Sequence, residues 1–344
     1  MFPLGLLGIG SALPRRVVSN AELEERTGFP AARIRELFEI DERRWSRGMD
    51  RPDPPEGQRC SDLALEAARA ALASAGMPAE EIGALVVVTT TPDFLNPPPD
   101  AIVARGLGLL GRPAFSLQAP CTGVFRAIEL AASLVDRLDG RPVLVAAAET
   151  PSPFFRFGPD VPADQVMNSL LYADGAGAMV VGRGFSGRGG HGIEQVDLLL
   201  NSDDAPAGIT FPAMLSAYPP SPERYEAGDY LGHHDFRRVL RHGSKLAAGA
   251  ALRILERMQA NVSDVRHFVT HQATGNIRRI AASYGLPPEK LAINIDRVGN
   301  TVSASVLILL DELDRQGQLA PGDLVILHAA ESSTWSSAAM AIRW

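Results

Sequence analysis

Three residues could do covalent chemistry together: Cys121 in LQAPCTGVFRAIEL, His271 in VTHQATGNI and Asn300 in DRVGNTVSAS. A thiolate is a strong nucleophile, and a free thiol titrates at about 8.5. The run from Thr122 onward reads as a helix, so its positive end would sit at the sulfur and lower the thiol pKa. The backbone N–H of Cys121 would then be free to donate to an oxyanion. A strand-end imidazole such as His271 suits a hydrogen-bond donor or base. Each residue also has a plainer reading. Cys121 could be a small buried hydrophobe, His271 a ring satisfied by local backbone, and Asn300 a turn or cap residue. Cys60, the second cysteine, reads as structural, with Ser61 or Asp62 capping the helix that follows.

The elements that would position these residues come in duplicate. SDLALEAARAALASAGMPAEEIGALVVVTTTPD from Ser61 resembles GSKLAAGAALRILERMQANVSDVRHFVTHQATG from Gly243. Each is a long Ala/Leu-rich helix, a short turn and a buried apolar strand. TGVFRAIELAASLVDRLDGRPVLVAAAET, following Cys121, pairs with TVSASVLILLDELDRQGQLAPGDLVILHAAES, following Asn300. The pattern predicts two similar α/β halves, 1–184 and 185–344, with a Gly-rich joint near 184–200. Cys121 of the first half takes the place of Asn300 in the second. Loops at the carboxyl ends of strands carry the chemistry in such folds. Two halves packed face to face would bring Cys121, His271 and Asn300 together.

The bulk numbers narrow the class. The chain has 344 residues, is 46% hydrophobic and carries a formal charge of −7. The acidic balance and the lack of a basic block argue against a nucleic-acid partner. The apolar runs are too short to cross a bilayer, so membrane insertion is not expected. The opening MFPLGLLGIGSALP reads as a first strand rather than a signal peptide. Two cysteines make no disulfide framework, which points to a reducing, cytoplasmic setting.

Cys121, then His271-Gln-Ala, then Gly-Asn300-Thr, in this order across the two halves, resembles the condensing enzymes of the thiolase superfamily. The likeness is greatest to β-ketoacyl-acyl-carrier-protein synthase III. GIGSALP near the N-terminus, YADGAGAMVVG at 172–182, DRVGNTVSAS at 296–305 and the ending SSTWSSAAMAIRW carry it over nearly the whole chain. The resemblance implies a duplicated thiolase-type fold, with helices between and outside two mixed sheets, and a homodimer. It implies Cys121 as the acylated nucleophile, with His271 and Asn300 as donors to an enolate. No metal or redox cofactor is expected. Substrates would arrive as pantetheine thioesters of acyl carrier protein or coenzyme A. The expected reaction is a Claisen condensation in polyketide or fatty-acid-derived metabolism. The alternatives are joining of two long acyl or β-ketoacyl chains without decarboxylation, acyl transfer to an alcohol or amine, and a scaffold with a degenerate site.

The sequence also departs from the family. Leu37 and Arg33 stand where priming synthases place an arginine and a tryptophan against the coenzyme A nucleotide. Ala330, Glu331 and Ser332 replace a triple glycine whose backbone completes the oxyanion hole. Glu331 and Glu149, at matching strand ends, read either as bases or as structural carboxylates; the structural reading is preferred. The segment 201–235 reads as a shaped loop bordering the acyl pocket. The arginine-rich IDERRWSRGMDR reads as a docking patch for an acidic carrier or as a solvated loop. Gly8-Ile9-Gly10 and Asp174-Gly-Ala-Gly-Ala lack the following helix of a phosphate loop. His233, His234, Asp235 and His242 match no metal-ligand spacing.

Overall fold

The computed structural model describes residues 4–48, 58–184, 191–200, 206–211, 215–217 and 219–344. The strands of the main sheet, in chain order, are β1 Leu4–Ala12, β2 Ala84–Val88, β3 Ala114–Leu117, β4 Val143–Glu149, β5 Gly175–Gly182, β6 His191–Leu200, β7 Val265–Thr270, β8 Leu291–Ala292, β9 Leu324–Ala330 and β10 Ser336–Arg343. Six helices matter here: α1 Ala31–Phe38, α2 Cys60–Ser74, α3 Gly123–Arg137, α4 Ala163–Leu171, α5 Phe236–Met258 and α6 Ser305–Arg315.

The expected repeat is explicit in the pairing. The first half has the order β3-β2-β4-β5-β1 and the second β8-β7-β9-β10-β6. In each, three parallel strands come first and two antiparallel strands follow. The halves meet edge to edge where Leu4–Leu6 of β1 pairs antiparallel with His191–Ile193 of β6, so one ladder runs through ten strands. The expected Gly-rich joint lies partly outside the described residues, at 185–190.

Alternation along the strands sorts the core into layers. Val86 and Val88 of β2 face a central core shared with α3, α6 and Val325 and Leu327 of β9. Leu85 and Val87 face the other way, onto Leu63, Ala67 and Ala71 of α2. Phe268 and Ile326 of the second half face Ala251 and Ile254 of α5. The order is therefore helix, sheet, the helix pair α3 and α6, sheet, helix. The two central helices are wrapped by apolar surface from both halves.

The glycines that mimic a dinucleotide motif have a packing explanation. A side chain at Gly10 would meet the backbone nitrogen of Ala71 at 2.4 Å, and one at Gly8 the Ala71 carbonyl oxygen at 2.4 Å. Strand β1 lies directly on α2, and only hydrogen fits between them. Gly177 in β5 plays the same part against Leu307 of α6, where a Cβ would come within 2.4 Å. Cys60 opens α2 and is buried, its sulfur bonded to Thr89 Oγ1 and the Ala148 carbonyl, as its structural reading required. The cap comes from Asp62, which accepts from the Arg59 N–H at 3.0 Å; the Ser61 hydroxyl donates instead to Asp93.

Gly10→Val forces backbone atoms apart. It is expected to destabilise the chain by about 3 kcal/mol or more in urea denaturation. Gly48→Ala, whose Cβ meets nothing within 4 Å, should stay within about 0.5 kcal/mol of wild type. Equal midpoints for the two variants would contradict this packing.

Candidate active site

Cys121 lies in the turn between β3 and α3, two residues before the helix proper begins at Gly123. The Gly123 N–H bonds the Pro120 carbonyl, which bends the chain here. Cys121 lines a cavity of about 870 Å³ together with Tyr172, Val302, Glu331 and Ser332. His271 directly follows β7, where its N–H bonds the His328 carbonyl of β9. Its Nδ1 lies 2.7 Å from the hydroxyl of Ser305, the first residue of α6. Asn300 precedes the same helix. Its Oδ1 accepts the Val302 N–H at 2.9 Å, and its Nδ2 turns toward the Ala273 carbonyl at 3.5 Å. The imidazole and the carboxamide are thus both fastened around the start of α6, with 6% and 3% of their surface exposed. Neither is among the residues that line the cavity; Asn300 is joined to two that are, Val302 through its Oδ1 and Tyr172 through a backbone bridge, and His271 is joined to Ser305 three residues beyond Val302.

Two buried carboxylates stitch the halves together here. Glu149, at the end of β4, accepts from the Thr90 N–H, the hydroxyls of Thr90 and Thr91, and the Ser303 hydroxyl at 2.7 Å. Glu331, just past β9, accepts from the Thr122 hydroxyl at 2.8 Å, the Arg126 guanidinium at 3.0 Å and the Thr334 hydroxyl. Each strand-end glutamate therefore holds a hydroxyl at the start of the other half's central helix. The Glu331 N–H is also engaged, donating to Ser336 at 2.9 Å.

The electrostatics correct one expectation. Burial, then the charges of Glu331 and Glu149, push the Cys121 thiol up, not down. The cysteine sits outside the helix, and desolvation with two nearby carboxylates outweighs the helix end. Burial also raises Glu149 to about 7. Burial, then the neighbouring His328, lowers His271 to about 4, so its imidazole is neutral at pH 7.

The other sequence candidates have local partners. His233 and His234 form a two-residue strand pairing with Ile209–Thr210. His234 Nδ1 meets Asn168 Oδ1 at 3.0 Å, and Asp235 caps α5 by accepting the Arg238 N–H. His242 packs edge-on to Trp335. In segment 201–235, Ile209, Phe211, Leu215 and Gly232 line the cavity; 201–205, 212–214 and 218 lie outside the described residues. In the arginine-rich stretch, Arg43 is buried and bonds Asn20 and the Leu170 carbonyl, so it is a core residue; 49–51 lie outside the described residues. Arg33 on α1 pairs with Glu36, and the Leu37 carbonyl accepts from Asn276. Sequence reasoning missed Tyr172, Thr122, Ser303, Ser305 and His328. Tyr172, Ser303 and Ser305 lie within the segments that carry the family resemblance, which gave them no individual role.

Alkylation of Cys121 by iodoacetamide should climb about tenfold per pH unit up to pH 9, following the thiolate fraction. A plateau reached by pH 7 would mean an activated thiol. Glu331→Gln should speed alkylation several-fold at pH 8 by removing the larger of the two charge contributions.

Comparison with known proteins agrees with this fold. Residues 255–344 match the family model described as 3-oxoacyl-[acyl-carrier-protein] synthase III C terminal. Residues 57–185 match the chalcone and stilbene synthase N-terminal domain. A β-ketoacyl-[acyl-carrier-protein] synthase III of Caldanaerobacter subterraneus is 33% identical over 99% of this chain and 97% of its own. An acetoacetyl CoA synthase of a Streptomyces species is 33% identical over 98% of each. The crystal structure of 3-oxoacyl-(acyl carrier protein) synthase III from Pseudomonas aeruginosa superposes with a TM-score of 0.84 at 30% identity, covering 100% of this chain and 98% of that one. The chain therefore belongs to the β-ketoacyl-[acyl-carrier-protein] synthase III family, thiolase-type acyltransferases that join acyl thioesters by Claisen condensation.

Proposed function

We propose that Cys121 holds the acyl group while His271 and Asn300 stabilise the enolate of a second, malonyl-type thioester. The observation that supports this reading is that His271 and Asn300 are both fastened at the start of α6, where Val302 lines the cavity that Cys121 also lines. In the first step the Cys121 sulfur attacks the acyl thioester carbonyl. The carrier thiol leaves with the proton that Cys121 gives up. In the second step the malonyl carboxylate departs as carbon dioxide, and its bonding electrons form the enolate. Ser305 donating to Nδ1 leaves the remaining proton of a neutral His271 on Nε2, aimed as a donor. Asn300, its Oδ1 already bonded by Val302, presents Nδ2. Such donors act where negative charge develops, each worth about 10²–10³ in rate. The enolate carbon then attacks the acyl carbonyl, the new carbon–carbon bond displaces the Cys121 thiolate, and a solvent proton restores the thiol. The steps draw on no cofactor beyond the pantetheine thioesters.

The decarboxylative route is favoured over joining two intact chains. That alternative needs a free base, and both carboxylates near Cys121 are held by three or more donors. A carrier protein suits the surface better than coenzyme A. Leu37 and a Glu36-paired Arg33 stand at the sequence positions where the family's priming members grip the nucleotide. Exposed Arg237, Arg241 and Lys245 on α5, with Arg278 and Arg279 nearby in the chain's second half, offer cationic surface to an acidic carrier. We read the chain as a cytoplasmic homodimer in polyketide or fatty-acid-derived metabolism. Strand β3 has β2 as its one neighbour in the sheet, and exposed Phe94 and Leu95 lie at the cavity.

Intact-protein mass spectrometry against acyl-carrier and acyl-coenzyme A donors tests the reading. Cys121→Ala should show no acyl adduct. His271→Ala and Asn300→Asp should load normally but lose about 10²–10³ in product formation. An adduct persisting on Cys121→Ala, or full product formation by both other variants, would overturn the assignment.

A further inference from the structure

The cavity beside Cys121 has a largely apolar wall that includes Leu117, Phe154, Phe155, Ile209 and Phe211. A polar stripe interrupts it. Gln165 and Asn168 on α4, and Tyr172 just past its end, follow at spacings of three and four and so share one face. The amides of Gln165 and Asn168 both donate to the Gly232 carbonyl, and Asn168 Oδ1 is bonded by His234. The Tyr172 backbone is committed as well, its carbonyl accepting Trp45 Nε1 at 3.0 Å and its N–H donating to Asn168. Its phenolic hydroxyl has no hydrogen-bond partner among the described residues. Burial, then the charges of Cys121 and Glu149, push this phenol up, so it is a neutral donor, on a residue that lines the same cavity as Cys121.

The rest of the wall limits what that donor can meet. Among the described residues no lysine or arginine lines this cavity, whereas Asp93 and Glu331 do. A carboxylate retained on the acyl chain would find repulsion and no counter-charge; the malonyl carboxylate differs because it leaves as carbon dioxide. A saturated chain would strip water from the Tyr172 hydroxyl and return nothing, and an unpaired buried hydroxyl is unfavourable. A hydroxyl or keto oxygen would restore the lost bond. We propose that Tyr172 selects acyl chains bearing a neutral oxygen, a hydroxyl or keto group a few bonds from the thioester, for loading onto Cys121. This rests on Cys121 being the acylated residue.

The test uses the full chain with carrier-protein thioesters of one length, in saturated, 3-hydroxy and 3-oxo forms, and follows loading of Cys121 by intact mass. Wild type is expected to load at least one oxygenated chain about tenfold faster than the saturated chain. Tyr172→Phe should abolish that ratio by slowing the oxygenated chain. Because the readout is a ratio within one preparation, partial loss of folded protein cancels. Equal rates in wild type, or an unchanged ratio in Tyr172→Phe, overturn the proposal and leave Cys121 as the nucleophile. Failure of all three chains to load overturns the condensing-enzyme reading beneath it.

Discussion

The site depends on a reciprocal clasp between the halves. Glu149 from the first half takes the Ser303 hydroxyl that precedes α6; Glu331 from the second takes the Thr122 hydroxyl that precedes α3. Both carboxylates are buried, at 0% and 1% exposure. A buried carboxylate is tolerable only when its lone pairs are filled, and removing one partner leaves the other groups unsatisfied. The clasp therefore fixes how the two central helices start relative to each other. Cys121 sits beside one start, and Asn300 and His271 beside the other. A shift of the halves would have to break buried hydrogen bonds before it could misalign these groups.

The same clasp sets the chemistry of the sulfur. Holding the helix starts with carboxylates puts negative charge near a thiol that burial already disfavours ionising. The resting form is accordingly the thiol, which in the proposed acylation would give up its proton as it attacks. That arrangement trades nucleophile readiness for selectivity, because an un-ionised cysteine in a lined cavity reacts poorly with adventitious electrophiles. The neutral His271 fits the same logic. In the proposed reaction an imidazolium there would attract the malonyl carboxylate and hold it in place, whereas a neutral ring would stabilise the enolate through a hydrogen bond after the carboxylate has left.

Much of this was legible in the sequence because duplication doubles every signal. Two helix–strand units in each half had a twin to confirm them, a helix start marked Cys121, and strand ends marked His271 and Glu149. What stayed hidden depends on depth and on contacts between halves. The thiol shift could not be read, since helix periodicity shows where a positive end lies but not how much water or which carboxylates surround it. Buried Arg43 looked like surface, because its partners, Asn20 and the Leu170 carbonyl, come from distant segments. Tyr172 looked like the lead-in to a strand, and only the cavity gives its hydroxyl a direction.

The departure at 330–332 also gains a physical account from the repeat. A triple glycine supplies backbone freedom and a free N–H, but nothing that reaches the twin helix. Glu331 supplies a carboxylate to Thr122 and Arg126, while its own N–H closes a hairpin bond to Ser336. Two matching glutamates now brace two matching helix starts, so the sequence has extended the symmetry of its scaffold at the expense of a flexible loop. In the proposed reaction an oxyanion formed at the acyl carbonyl would lean on the Cys121 N–H, because the Glu331 N–H is already bonded to Ser336. With less general stabilisation from the backbone, more of the discrimination between substrates would fall to side chains on the cavity wall, where Tyr172 carries the hydroxyl of the polar stripe that has no partner among the described residues.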